Sequence, residues 1–460
     1  MKSIKRIRII ILFVIMAFFL PVILTETALS DQTACRNYNL SLQSAIESAL
    51  EKNPLLEAAQ HRVAASAERI TQAKSGFYPK VYISEAYQLT TNPMWAFGMK
   101  LNQGIITQQD FDPDSLNDPS SIDNFNTMLW MTWPLFDSGQ TWYGQQQAEF
   151  SHQASAAGLD RSCQEIISQT VAAYTDLVFA KESVSVVNQA LQTAEAQLRL
   201  IEDRYKSGLT VKSDLLRVRV HISELEQQRV DANSRYLIAQ AALNAVMGKE
   251  MSDDVLPTTP LFKSNVPAKE LKDWINEALS NRPDLKQINL HEQTARTEIK
   301  KSRSAHWPSV NINGSYEMNT ADFDDTANSY TVGANVTMNL FSGFGISARE
   351  REALYRQNEI NANLRAMNQK IRLETREAYY KLQSAEKRIQ VAELSVDAAI
   401  EALRIVSSRY KNGQLSIVSL LDAELTLTRA RNNLNMALKD HIQYRVQLAL
   451  AVGTLGSSFQ

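Results

Sequence analysis

Cysteine is almost missing from this chain: Cys35 and Cys163 are the only two among 460 residues. A dense disulfide framework is thereby excluded, and the fold must rest on packing. Proline and glycine are also sparse, at 12 and 15. Both break helices, so their scarcity permits long uninterrupted ones. Neither sign of charge dominates; 48 basic and 50 acidic residues leave a formal net charge of −2. That removes the electrostatic case for a nucleic-acid partner. The six histidines, His61, His152, His221, His291, His306 and His441, have no Cys or His neighbour at metal-ligand spacing. No nucleophile elbow or Cys–His signature occurs either. The residues thus give no support to an enzyme, a cofactor or a metal centre.

Long apolar runs are missing everywhere but at the start. Lys2, Lys5, Arg6 and Arg8 precede the apolar stretch Ile9 to Leu20, and Ala28-Leu29-Ser30 supplies the small residues a signal peptidase reads. Residues 1–30 read as an export signal. Pro21 interrupts the run and argues against an uncleaved anchor. Beyond it no stretch is apolar enough for a membrane-spanning helix, so the mature chain is soluble or crosses a membrane as β-strands.

What is present is a duplication. Ala49-Leu50-Glu51-Lys52-Asn53-Pro54 recurs as Ala278-Leu279-Ser280-Asn281-Arg282-Pro283, and Tyr78-Pro79 as Trp307-Pro308. Leu135-Phe136 recurs as Leu340-Phe341, Arg204-Tyr205-Lys206-Ser207-Gly208 as Arg409-Tyr410-Lys411-Asn412-Gly413, and Met247-Gly248 as Val452-Gly453. The spacing between partners changes once, between Pro79 and Leu135, so a single insertion separates the halves. The first repeat covers residues 31–256 and the second 257–460.

Each half has the same order of elements. One helix is predicted from Leu42 to Phe77 and from Leu271 to His306, stopped by Tyr78-Pro79 and Trp307-Pro308. Strand pairs follow, near 81–89 and 126–136, then 310–318 and 330–341. In the last, Tyr330, Val332, Ala334, Val336, Met338 and Leu340 alternate with polar residues, as in a half-buried sheet or a barrel with a polar lumen. From Gly139 to Lys206, and from Gly343 to Lys411, there is no proline, which allows helices of roughly 100 Å. Val187, Leu191, Ala194, Leu198, Ile201 and Tyr205 form a heptad seam, repeated as Ala392, Val396, Ala399, Leu403, Val406 and Tyr410. After a turn at Gly208 or Gly413 the stripe returns through Leu215, Val218, Ile222 and Leu225, or Leu420, Ala423, Leu427 and Ala430. Each half therefore ends in an antiparallel helical hairpin.

Four strands cannot close a barrel, since single-chain barrels start at about eight. If these strands are in a membrane, several chains must share the barrel, and three would supply twelve. Trp95, Trp130, Trp133, Trp142, Tyr316 and Tyr330 gather around the strands, as interfacial aromatics do, although core aromatics give the same clustering. The insertion carries Asp110, Asp112, Asp114, Asp118 and Asp123 without Lys or Arg between Leu101 and Thr127. Its Asp-x-Asp-x-Asp start imitates a calcium loop, but Ser115 and Ser121 stand where Gly and Glu are needed, so it reads as an acidic loop at the barrel mouth.

The duplicated layout, the Tyr78-Pro79 junction, the Pro134 to Gly139 segment and the Arg-Tyr-Lys-x-Gly tips together resemble the TolC family of outer-membrane factors. The match spans nearly all of the mature chain, and the order of its motifs carries it. The implied fold is mainly α with a small β part: a duplicated helix–strand–strand–helix unit, forming a long α-helical barrel plus a twelve-stranded β-barrel shared by a homotrimer. The implied function is the exit duct of a tripartite efflux or type I secretion system. Its partners would be outer-membrane lipid, a periplasmic adaptor and an inner-membrane pump that supplies the energy. The resemblance places adaptor docking at the tips, Lys206, Ser207, Gly208 and Leu209 with Lys411, Asn412, Gly413 and Gln414. It places a periplasmic gate at Asp214, Tyr410, Ser419 and Asp422. Ser419 stands for an expected acid and Leu415 for an expected base, so a salt-bridge lock is in doubt and the acidic ring weaker. Some family members carry a lipid on their first mature cysteine; Cys35 lacks the usual preceding Leu. A Cys35–Cys163 disulfide is allowed by the compartment, but helix lengths place the two at different heights. The alternative function is a periplasmic coiled-coil adaptor or scaffold, which would normally carry one hairpin and more strands.

Overall fold

The computed structural model describes residues 38–456 apart from 266 and 268. The export signal and Cys35 lie outside the described residues. The first half runs β1 (Tyr38–Leu40), α1 (Leu42–Lys52), α2 (Pro54–Lys74), β2 (Lys80–Thr90), α3 (Pro93–Asn102), α4 (Pro113–Asn117), β3 (Ile122–Phe136), α5 (Gln140–Lys206) and α6 (Lys212–Val246). β4 (Val255–Pro257) spans the junction of the halves, and the second then runs α7 (Leu271–Asn281), α8 (Pro283–Ser304), β5 (Ser309–Thr320), β6 (Ala327–Thr337), α9 (Gly345–Lys411) and α10 (Ile417–Val452).

The first helix predicted in each half is in fact two. Asn53 and Arg282 leave the helical region with ψ of 121° and 123°, because the next residue is proline. Pro54 and Pro283 then start new helices, where a missing N–H costs nothing. The residue at the break does a second job. Asn53 Nδ2 donates to the Val246 carbonyl at 2.7 Å, and an Arg282 guanidinium nitrogen donates to the Ala451 carbonyl at 3.3 Å. Both satisfy open carbonyls near the end of a return helix. Arg282 is buried and held by Asp284 and Glu374, both at 2.5 Å.

The sheet has the order β2-β3-β5-β6, antiparallel throughout, with β2 and β6 at its edges. β6 stops at Thr337 rather than Phe341, although the alternation continues. Its neighbour begins at Ser309, opposite Thr337, and the preceding Pro308 has no N–H to extend the ladder. A bulge at Pro134–Phe136 bends β3 where the chain leaves the sheet for α5.

α5 and α9 are each 67 residues long, about 100 Å. The predicted seam is largely buried: Val187, Leu191, Ala194 and Ile201 pack toward Leu215, Val218 and Leu225. Ala392, Ala399 and Tyr410 do the same beside Leu420, Leu427 and Ala430. Tyr205 departs from its repeat partner. It is 40 % exposed whereas Tyr410 is 8 % exposed. Between the hairpins and the sheet, α1, α5, β1, β4 and the end of α6 share a core. There the Tyr174 hydroxyl donates to the Leu40 carbonyl at 2.9 Å and accepts from the Thr259 amide at 2.8 Å.

Candidate gate, docking tips and membrane face

The two tips have one geometry. Gly208 has φ +69° and Gly413 φ +71°, a conformation that glycine adopts without strain. Leu209 N–H donates to the Arg204 carbonyl and Gly208 N–H to Tyr205; Gln414 and Gly413 repeat this onto Arg409 and Tyr410. These are paired Schellman closures. Nothing lies within 4 Å of a Cβ built on either glycine. Within one chain their role is the turn itself, and close approach by another hairpin is left free.

Just above the tips the hairpins meet. Tyr410 is inserted among Ile201, Leu215, Val218, Ile417 and Leu420, residues from both. Arg204 stacks on the Tyr410 ring, 5.4 Å from its centroid, and donates to the Lys411 carbonyl at 3.1 Å. Burial pushes the Tyr410 phenol above its ordinary value; the Arg204 charge opposes this and the Asp214 charge reinforces it. Asp214 accepts from the Thr210 hydroxyl at 3.1 Å. Arg204, Tyr410 and Asp214 thus form one cluster. Ser419 is separate: its N–H caps onto Ser416 Oγ at 3.4 Å, in the first turn of α10. Asp422 is exposed, in a groove between α6 and α10 that also holds Arg217, His221 and Glu224.

Sequence reasoning missed two residues here. Arg204 was visible only as part of a repeat, and its reach to the other hairpin depends on how the two pack. Glu424 lies between the hairpins, accepts from the Gln197 side-chain amide, and burial pushes its carboxyl up to about 7. Its spacing from Leu420 and Leu427 puts it beside the apolar stripe, which was the available signal.

The sheet has two unlike faces. Val81, Ile83, Leu129, Met131, Ile312, Tyr316, Tyr330, Val332 and Val336 share one, since their registers interlock across all four strands. Most of them are exposed. The other face presents Ser84, Gln88, Asn126, Thr132, Asn313, Ser315, Thr331 and Asn335. The aromatics gathered around the strands divide between the two faces. Trp133, Tyr316 and Tyr330 lie on the apolar face, but Trp130 lies on the polar one, stacked on Tyr82 at 5.1 Å. Trp95 is in α3 and Trp142 in the first turn of α5. A denser belt, exposed at the helix–sheet junction, comprises Phe77, Tyr78, Phe136, Trp142, Trp307, Phe341 and Phe344. At the far end Tyr87, Phe125 and Phe323 pack together. From Phe125 to Trp133 β3 runs about 27 Å, or about 21 Å along the normal at a typical tilt of ~40°. A barrel's apolar band is about 25 Å tall.

The acidic insertion is folded. Asp110 receives Lys100 at 2.6 Å and both the amide and hydroxyl of Thr107, and chiefly the Lys100 bond lowers its carboxyl to about 2. Asp112 accepts from the Asp114 amide at 3.0 Å, starting α4. These carboxylates are committed to local structure. Among the described residues, no group of three or more His, Cys, Asp and Glu is arranged to hold a metal ion. Cys163 is half-buried against the core around Leu42, and burial raises its thiol.

Long paired hairpins below a two-faced sheet define the architectural class of the chain. A family model described as outer membrane efflux protein matches residues 45–249 and 274–454, and the chain belongs to that family. Outer membrane protein TolC of Vibrio cholerae is 22% identical over 417 residues, covering 88% of this chain and 89% of that protein. The proteases secretion protein PrtF of Dickeya chrysanthemi is 22% identical over 427 residues, covering 90% and 88%. The Campylobacter jejuni CmeC outer membrane channel superposes with a TM-score of 0.78 at 18% identity, covering 90% of this chain and 85% of that one. The open Neisseria gonorrhoeae MtrE channel gives 0.74 at 20% identity, covering 90% and 89%. The chain is an outer-membrane exit duct component for efflux or secretion, with its helices on the periplasmic side.

Proposed function

We propose that three copies of this chain share one twelve-stranded barrel and continue below it as one helical barrel. The observation that carries this is the sheet itself. It has four strands, too few to close, and its edges β2 and β6 find no partner within the described residues. Its apolar face is exposed over every strand. Pairing β6 of one copy with β2 of the next removes both edges and leaves the apolar face toward lipid. Outer-membrane fractions should yield heat-modifiable trimers; recovery as a soluble monomer overturns the reading.

The tips then face the periplasm. Lys206, Ser207, Gly208, Leu209, Lys411, Asn412, Gly413 and Gln414 form the docking surface for a periplasmic adaptor linked to an inner-membrane pump. Asp214, Tyr410, Ser419 and Asp422 form the gate. In place of a salt-bridge lock, Arg204 ties the hairpins through Tyr410 and the Lys411 carbonyl. Asp422 recurs once per copy, as a ring that attracts cations into a narrow mouth. Asp422→Asn should reduce cation preference and block by multivalent cations in planar bilayers. Unchanged selectivity removes Asp422 from the constriction.

A further inference from the structure

The two halves differ most between their strands. β5 and β6 are joined by residues 321–326, whereas β2 and β3 are joined by residues 91–121. The short link shows that strand pairing does not need the long one. The long link is packed onto the sheet. Ala96 and Met99 of α3 bury against Ile122. Gln103, itself buried, donates to the Asp123 carbonyl at 2.6 Å and to Asn124 Oδ1 at 2.9 Å. Asn124 and Asn126 both donate to Asn319 Oδ1, at 2.8 and 3.0 Å. Phe97 against Phe111, and Lys100 against Asp110, hold the link in one piece.

Ile122, Asn124 and Asn126 alternate onto the same face as Thr132, the polar face. They sit at the end of the sheet away from the long helices. We propose that residues 93–117 form a lid folded inward over the outer mouth, and that this lid sets the largest cargo the conduit passes. The proposal rests on the barrel of three chains. Twelve strands about 4.8 Å apart and tilted ~40° enclose a cylinder roughly 24 Å across. A helix with its side chains is about 10 Å thick. Three lids, one per copy, leave an opening far narrower than the barrel. The amide chain from Gln103 to Asn319 is the latch, because it joins the lid to β3 and β5 on the lumen side. It is uncharged, so its hold does not depend on pH.

The mouth can be measured independently of the periplasmic gate. Thr331→Cys, on the polar face of β6, is introduced where Cys35 and Cys163 are replaced by Ser. Intact cells are treated from outside with maleimide-linked polyethylene glycols of graded size. The native link should admit only the small reagents. Replacing residues 91–121 by the segment 321–326 should admit larger ones. Should that variant fail to assemble, Gln103→Leu keeps the link and removes its latch; it should speed labelling by the larger reagents several-fold. Labelling with the same size limit in the native and altered proteins overturns the lid and leaves the barrel standing. No labelling by even the smallest reagent overturns the lumen assignment, and the lid with it.

Discussion

Gly248 lies against the backbone of Lys52 so closely that a Cβ there would stand 2.2 Å from the Lys52 carbonyl oxygen. Its φ is +67°, so two constraints coincide. The second half repeats both, with Gly453 at φ +83° and its Cβ position 2.9 Å from the Arg282 Cα. In each half the end of the return helix is thereby seated on the proline break near the start. Gly248→Ala must bear left-handed strain of about 1–2 kcal/mol and also displace backbone, so a loss of ~2–4 kcal/mol is expected. Gly208→Ala meets open space and bears only the strain, about 1–2 kcal/mol. Denaturant midpoints followed by helical circular dichroism check the ranking. Equal losses would show that the seating contributes nothing.

The duplication, the hairpins and the four strands were legible because each leaves a period in the sequence. The heptad seam named Val187 to Ile201 and Ala392 to Tyr410 in order. Its failure at Tyr205 has a physical cause: the hairpins are not equivalent where they touch, and Tyr410 takes the shared position. The broken first helix was also legible in principle, at Asn53-Pro54 and Arg282-Pro283. Aromatic clustering along the chain left open which face each ring takes; alternation across the register puts Trp130 opposite Tyr82 and away from Trp133. Nothing in the sequence showed the long link packing onto the polar face of the sheet. That depends on Gln103 meeting Asn124, and Asn124 meeting Asn319 on another strand.

Glu424 carries a pH dependence whose sign is fixed. Burial raises its carboxyl from 4.5 to about 7, so the folded chain holds this proton more tightly than the unfolded chain. The contribution to stability is complete below 4.5 and is lost as pH rises through about 7. The first-half counterpart, Arg219, is instead exposed and paired with Glu202 at 3.0 Å. Glu424→Gln should flatten the stability profile between these two values. Parallel profiles for the two proteins would mean that Glu424 is charged and solvated in the fold.

Thr331 and Val332 are neighbours on β6 with opposite environments. Val332 stands 75 % exposed on the apolar face, opposite Gly314. In lipid a lysine there should cost about 2–4 kcal/mol near the midplane and less toward either interface. Val332→Lys is expected to reduce outer-membrane trimers, and Thr331→Lys to leave them. The reverse order would invert the two faces.

Arg204 crosses from one hairpin to the other beside the tips. Its guanidinium spreads over the Tyr410 ring, a contact worth about 0.5–2 kcal/mol, and its bond to the Lys411 carbonyl adds a charge-assisted hydrogen bond of roughly 1.5–3 kcal/mol. Tyr410 remains buried by Ile201, Leu215 and Val218 whether or not Arg204 is present. Arg204→Ala should therefore loosen the tips without unfolding them. Tyr410→Phe keeps the ring, and so most of the stacking. Single channels of Arg204→Ala should conduct more and open more often than the native protein, while those of Tyr410→Phe stay close to it. Arg204→Lys separates the two contacts, because a compact ammonium keeps the charge but not the planar stacking. An intermediate conductance is expected from it. Native conductance in Arg204→Ala would show that the hairpins are held at the tip by the apolar cluster alone.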